Sequence, residues 1–156
     1  MASYLAPQPT ARARDPGDAL AGVAFFSRFS EEQRRRALAA ARRVHFKAGE
    51  VIYRVGEPSH AFYVLTEGSI HFSFAVGGRL APAQVIGPGD VFGWAALVEP
   101  GLPRNGLATA VTDCSALVLD GVDLLAMAES DPSFGYALMR ALNKIITGTL
   151  WAFVAG

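Results

Sequence analysis

The sequence holds one cysteine, Cys114, in 156 residues. An internal disulfide is excluded, no Cys/His spacing fits zinc, and Cys114 is expected to be a small apolar filler. Its three histidines, His45, His60 and His71, are scattered and form no His-x-His pair. A metal-dependent β-barrel enzyme would need that pair together with a carboxylate. Asp90 and Glu99 are not a convincing acid/base pair, so the chain is read as a non-enzyme with no catalytic residue and no metal site. Charged residues make up only 18% and sum to zero, which argues against broad nucleic-acid binding by charge alone. No apolar run reaches the roughly 18 residues of a membrane span. Met1 to Asp15 contains Arg12 and Arg14 but no apolar core of a secretory signal. A cytoplasmic protein without membrane association is expected.

Apolar residues are plentiful. At 51% they suffice for one domain with a substantial core. Residues 1–17, rich in Ala, Pro and Arg, are expected to be a flexible tail, and residues 18–156 the domain. Ser30 followed by Gln33 reads as a capping box opening a short helix, with Ala37, Leu38 and Ala41 on its apolar side. Arg34, Arg35 and Arg36 on that helix read as a solvated face or, alternatively, a nucleic-acid contact, with Arg42 and Arg43 on the helix or just after it.

From Arg43 to Asp120 the pattern is one of short strands. Ile70, Phe72, Phe74 and Val76 alternate with His71, Ser73 and Ala75, a period of two. Val51–Arg54, Phe62–Leu65, Val85–Ile86, Leu107–Val111 and Ala116–Leu119 read as further strands, with glycine-rich turns between them. Gly77-Gly78 is a two-residue hairpin signal. About eight antiparallel strands without intervening helices imply a mainly β fold, a sandwich or jelly roll, with flanking helices. After Asp120 the pattern is helical, first to about Ala128. Asp131-Pro132 then marks the start of a long C-terminal helix reaching Leu150 or beyond. Its apolar residues, from Phe134 through Leu138, Met139, Ala141, Leu142, Ile145, Ile146 and Leu150 to Phe153, cover half its circumference. One sheet face rarely covers so wide an arc, so a homodimer packed through this helix is expected.

The most informative run is Pro88-Gly89-Asp90-Val91-Phe92-Gly93-Trp94-Ala95-Ala96-Leu97, with Arg104 ten residues past the tryptophan. Small residues let backbone N–H groups approach an anion, and a guanidinium can pair with it. The run resembles the phosphate-binding cassette of the cyclic nucleotide-binding domain family. Lys47–Pro58 and Ala61–Ile70 are similar to that family's opening strands and central strand pair, and the likeness extends from Phe25 to Leu150. The resemblance implies an eight-stranded jelly roll with a ligand beside the cassette, on Phe92, Gly93, Trp94, Ala95, Ala96, Arg104 and Asn105. Arg104 matches the phosphate-pairing arginine. Asn105 falls where Ser or Thr often stands. Trp94 occupies the position of the ribose-binding glutamate, and indole donates but does not accept hydrogen bonds.

These residues also have plainer readings. Trp94 fits core packing as well as a stacking platform, and Arg104 fits a pair with Glu99 or Asp113. The resemblance therefore implies a ligand-sensing regulatory module of altered or lost cyclic nucleotide specificity. The alternatives are a ligand-free dimerisation domain and a true cyclic AMP or cyclic GMP site. No cofactor is assigned beyond a cyclic nucleotide or another anionic small molecule. The family's transcription regulators carry a helix-turn-helix after the long helix. None follows within these 156 residues, so no direct DNA binding is expected.

Overall fold

The computed structural model describes residues 19–81 and 84–155, except the side chain of Phe153. The expected tail, residues 1–17, lies outside the described residues. Helix α1 spans Glu31–Ala39, and both halves of its capping box form: the Gln33 N–H donates to Ser30 Oγ at 3.1 Å, and the Ser30 N–H to Gln33 Oε1 at 2.9 Å. Nine strands follow: β1 (Arg42–Phe46), β2 (Val51–Tyr53), β3 (Ala61–Glu67), β4 (Ile70–Val76), β5 (Arg79–Leu80), β6 (Gln84–Ile86), β7 (Val91–Phe92), β8 (Gly106–Ala110) and β9 (Cys114–Asp120). The helix α2 (Ala95–Val98) interrupts them after β7, and α3 (Gly121–Ser130) and α4 (Pro132–Ala155) close the described chain.

All pairings are antiparallel, in two sheets ordered β1-β9-β3-β7 and β2-β8-β4-β5, with β6 also on β4. The expected jelly-roll type of architecture is present, with nine strands rather than about eight. The two-residue β5 and β7 are too short to show a period. Val76 pairs with Arg79 across Gly77-Gly78, as a two-residue hairpin requires. Arg42 and Arg43 belong to β1, an edge strand, where exposed charge discourages pairing with another chain.

β3 and β9 are buried on both faces, so alternation sends their side chains to two different cores. Phe62, Val64, Leu117 and Leu119 join Leu20, Phe26, Phe29, Leu124, Phe134 and Leu138 between this sheet and the helices. Leu65, Ala116 and Cys114 turn the other way and are equally buried. Leu65 and Cys114 join Tyr53, Ile70, Phe72 and Phe92 inside the barrel. Cys114 is a free, buried thiol, as expected of a filler.

The arginines of α1 are used internally. Arg35 pairs with Glu31 at 3.0 Å, and Arg36 reaches Asp131 at 3.3 Å. The second pair ties α1 to the junction of α3 and α4, where the Asp131 carboxylate also caps α4 through the Ser133 N–H at 3.1 Å. The first half of α4 docks by Phe134, Ala137, Leu138, Ala141 and Leu142. Its last turns do not: Leu150, Trp151 and Val154 are 59%, 66% and 67% exposed.

One close approach fixes where α3 begins. A Cβ on Gly121 would lie 2.1 Å from the Ala96 carbonyl oxygen. Gly121→Ala is expected to cost about 3 kcal/mol, because backbone on both sides must shift. Gly148→Ala, with no atom within 4 Å of the new methyl, is expected to stabilise α4 by about 0.5–1 kcal/mol. Urea midpoints of the two variants check both values.

Candidate functional site

β7 delivers Phe92 into the barrel, and the chain then turns sharply at Gly93, whose φ is +77°. A side chain here would be strained, and its Cβ would lie 3.0 Å from Tyr63 and 3.1 Å from both the Ala61 oxygen and Arg104. The absent side chain makes room for Arg104. That residue, just before β8, is only 5% exposed. Its guanidinium donates from Nη1 to the Gly93 carbonyl at 2.9 Å and from Nη2 to the Ala61 carbonyl at 2.6 Å. Its Cζ lies 4.2 Å from the centre of the Tyr53 ring. The expected pair with Glu99 or Asp113 does not form. Asp113 instead accepts the Ala48 N–H at 2.9 Å. Arg104 bridges two strands through carbonyl oxygens and an aromatic face.

The surroundings of this arginine are aromatic. Tyr63 and Phe92 stack with centroids 4.7 Å apart and planes 7° apart. Tyr53 contacts Tyr63, Phe72 and Phe92, and Phe72 meets Phe74 edge-on at 4.6 Å. Burial pushes the Tyr53 phenol well above the usual tyrosine range and raises that of Tyr63, and the Arg104 charge only partly opposes it. Burial also holds the Arg104 guanidinium below the usual arginine range, against the opposing pull of Tyr53, Tyr63 and Glu57.

A cavity of about 840 Å³ opens between this aromatic lining and α4. Of the residues expected at the site, Phe92, Gly93, Trp94, Ala95, Arg104 and Asn105 line it. Ala96 does not line it; it is fully buried, with its carbonyl against Gly121. Trp94 is half-buried at the start of α2 and packs against the helix-side core, while also lining the cavity. Its carbonyl accepts the Leu97 N–H at 2.9 Å. Asn105 is exposed, and its carbonyl accepts the Ala75 N–H at 2.8 Å.

The cavity also gathers residues that the sequence reading did not place at the site: Tyr53, Phe72 and Phe74 from the strands, Arg28 ahead of α1, and Arg140 and Lys144 from α4. Phe72 and Phe74 were legible as one face of β4, but the face alone does not say that a cavity adjoins it. Among the described residues no three His, Cys, Asp or Glu side chains gather as a metal site. No described helix is long and apolar enough to cross a membrane.

Two expectations follow. Arg104→Leu removes two charge-assisted hydrogen bonds, to the Gly93 and Ala61 carbonyls, so it is expected to cost about 3 kcal/mol or more with no ligand present. Asn105→Ala is expected to stay within about 0.5 kcal/mol; chemical denaturation compares the two. The raised phenols add a pH dependence. Above pH about 10 the unfolded chain ionises Tyr53 and Tyr63 while the folded chain resists, so stability is full below that pH and falls as pH rises through it. The double variant Tyr53→Phe, Tyr63→Phe is expected to flatten this alkaline loss, measured by urea midpoints on either side of pH about 10.

Residues 43–131 match the cyclic nucleotide-binding domain family. The chain is 29% identical over 107 residues to the CRP-like cAMP-activated global transcriptional regulator of Mycobacterium tuberculosis, covering 68% of this chain and 47% of that protein. It thus spans about half the length of the curated relatives it matches. Among solved structures it is similar to the N-terminal domain of a transcriptional regulator from Streptomyces coelicolor A3(2), at 28% identity and a TM-score of 0.67, covering 87% of this chain and 91% of that one. It is also similar to the Thermus thermophilus catabolite activator protein, at 25% identity and a TM-score of 0.69, covering 84% and 62%. With the family match spanning more than half its length, and with the jelly-roll sheets, cassette turn and buried arginine in place, the chain belongs to the cyclic nucleotide-binding domain family.

Proposed function

We propose that this chain is a cytoplasmic ligand-sensing regulatory module in which cyclic AMP and cyclic GMP bind weakly or not at all. The observation that carries the reading is Trp94, which stands at the cassette position of the family's ribose-binding glutamate and lines the cavity with a ring that accepts no hydrogen bond. A lost charge-assisted bond is worth about 1.5–3 kcal/mol, or roughly ten- to hundred-fold in affinity. The geometry of Arg104 adds to the deficit, since its guanidinium is buried and already gives one N–H each to the Gly93 and Ala61 carbonyls. The binding surface is formed by Phe92, Gly93, Trp94, Ala95, Arg104 and Asn105, with Ala96 behind it. Titration calorimetry with both nucleotides tests the reading. A dissociation constant near millimolar or weaker is expected, and a low-micromolar one for either nucleotide would overturn it. Trp94→Glu is expected to raise affinity by about tenfold or more.

The module acts as a homodimer through α4. Support for the dimer is the bare apolar end of α4, where Leu150, Trp151 and Val154 lie in the open on one helix. Exposed apolar clusters of that kind mark protein contacts. Light scattering at high micromolar concentration is expected to give twice the chain mass. The triple substitution of these residues by Ser is expected to give the monomer, with little loss of chain stability because none of the three is buried.

A further inference from the structure

α4 does more than dock and dimerise. Arg140, Lys144, Thr147 and Trp151 recur at intervals of four, three and four residues, which puts them on one helical stripe. All four line the cavity, and Arg28 lines it from the turn ahead of α1. The roof of the cavity therefore carries three exposed cations, while its floor is the aromatic set Tyr53, Phe72, Phe74 and Phe92. Among the described residues none of the three cations has a carboxylate within ion-pair distance. Arg140 uses one N–H on the Tyr136 hydroxyl at 3.0 Å and keeps the rest of its donors. Among the described residues the cavity's one acid is Asp90, and its Oδ2 already accepts the Gly87 N–H at 3.0 Å. In a chain of zero net charge this concentration of positive charge is local to one opening.

We infer that the cavity takes a compact aromatic acid, bound with its anionic head under α4 on Arg28, Arg140 and Lys144 and its flat body on Phe72, Phe74 and Tyr53. The inference rests on the ligand-sensing reading above and names the class of ligand. It places the anion on the cations of α4, away from the cassette. Arg104, which would hold an anion at the cassette, is only 5% exposed and is held inward by its bonds to Gly93 and Ala61. The cations of α4 and Arg28 are exposed and keep N–H donors to give. A carboxylate or sulfonate there gains charge-assisted hydrogen bonds without breaking any internal one. An aromatic body gains offset and edge contacts with the ring cluster beneath. A volume of about 840 Å³ accommodates two or three fused or linked rings.

The test uses the full chain and two fluorescent probes of similar shape: anilinonaphthalene sulfonate, which is anionic, and N-phenylnaphthylamine, which is neutral. The sulfonate is expected to bind with one-to-one stoichiometry and more tightly than the neutral probe. Arg140→Gln with Lys144→Gln is expected to weaken the sulfonate by about tenfold or more and leave the neutral probe within about twofold. Arg28→Gln is expected to act in the same direction. Phe74→Ala is expected to weaken both probes. All three cations are exposed, so the charge variants are expected to keep the parent's near-ultraviolet circular dichroism. Unchanged sulfonate binding in the charge variants would overturn the inference while leaving a ligand-sensing cavity standing. Failure of both probes to bind the parent chain would overturn the inference and the sensing reading together. Displacement of the sulfonate by micromolar cyclic AMP would instead restore an ordinary cyclic nucleotide site and overturn the altered specificity as well.

Discussion

The site is organised by one buried cation that has no carboxylate within ion-pair distance among the described residues. Arg104 holds the Ala61 carbonyl of β3 and the Gly93 carbonyl of the cassette turn, under the face of Tyr53. A guanidinium has five donors in a rigid fork, so it can bridge two carbonyls at once where a lysine could not hold both directions. Withdrawing that charge from water is unfavourable, and only the carbonyls and the ring offset it. Gly93, the stacked Tyr63–Phe92 pair and the lip of the cavity all take their positions around this bridge.

The same bridge separates two regions of different character. Below it the barrel is packed with rings and aliphatic side chains that meet in contact. Above it α4 crosses the cavity, which Arg140, Lys144 and Thr147 line, while its Phe134, Ala137, Leu138, Ala141 and Leu142 pack on the helix-side core. The broad apolar pattern along Pro132–Ala155 thus divides in two: the first half docks on the core, and Leu150, Trp151 and Val154 at the end stand exposed.

Much of the architecture was legible in the sequence because local chemistry dictates it. The Ser30–Gln33 box, the Gly77-Gly78 turn and the Asp131-Pro132 start each act within four residues, and the alternation from Ile70 to Val76 needs only one buried face. β5 and β7 escaped because two residues cannot display a period, and β1 because its arginines look alike on a helix or on an edge strand. The site was legible in part. Its cassette is a contiguous run whose glycine carries a conformational demand. The partners of Arg104 are carbonyl oxygens, which every residue possesses, so no side chain marks them. Arg28, Arg140 and Lys144 are more than a hundred residues apart at their extremes, and only the fold of α4 over the barrel brings them to one opening.

The two tryptophans of the chain, Trp94 and Trp151, both stand on the wall of the same cavity. One comes from the cassette side and the other from the end of α4. The intrinsic fluorescence of this protein is therefore not an average over many environments. Indole emission comes from two residues that both touch this cavity, so a change in its wavelength or quenching on adding a solute is an optical signal from the cavity wall, with no label attached.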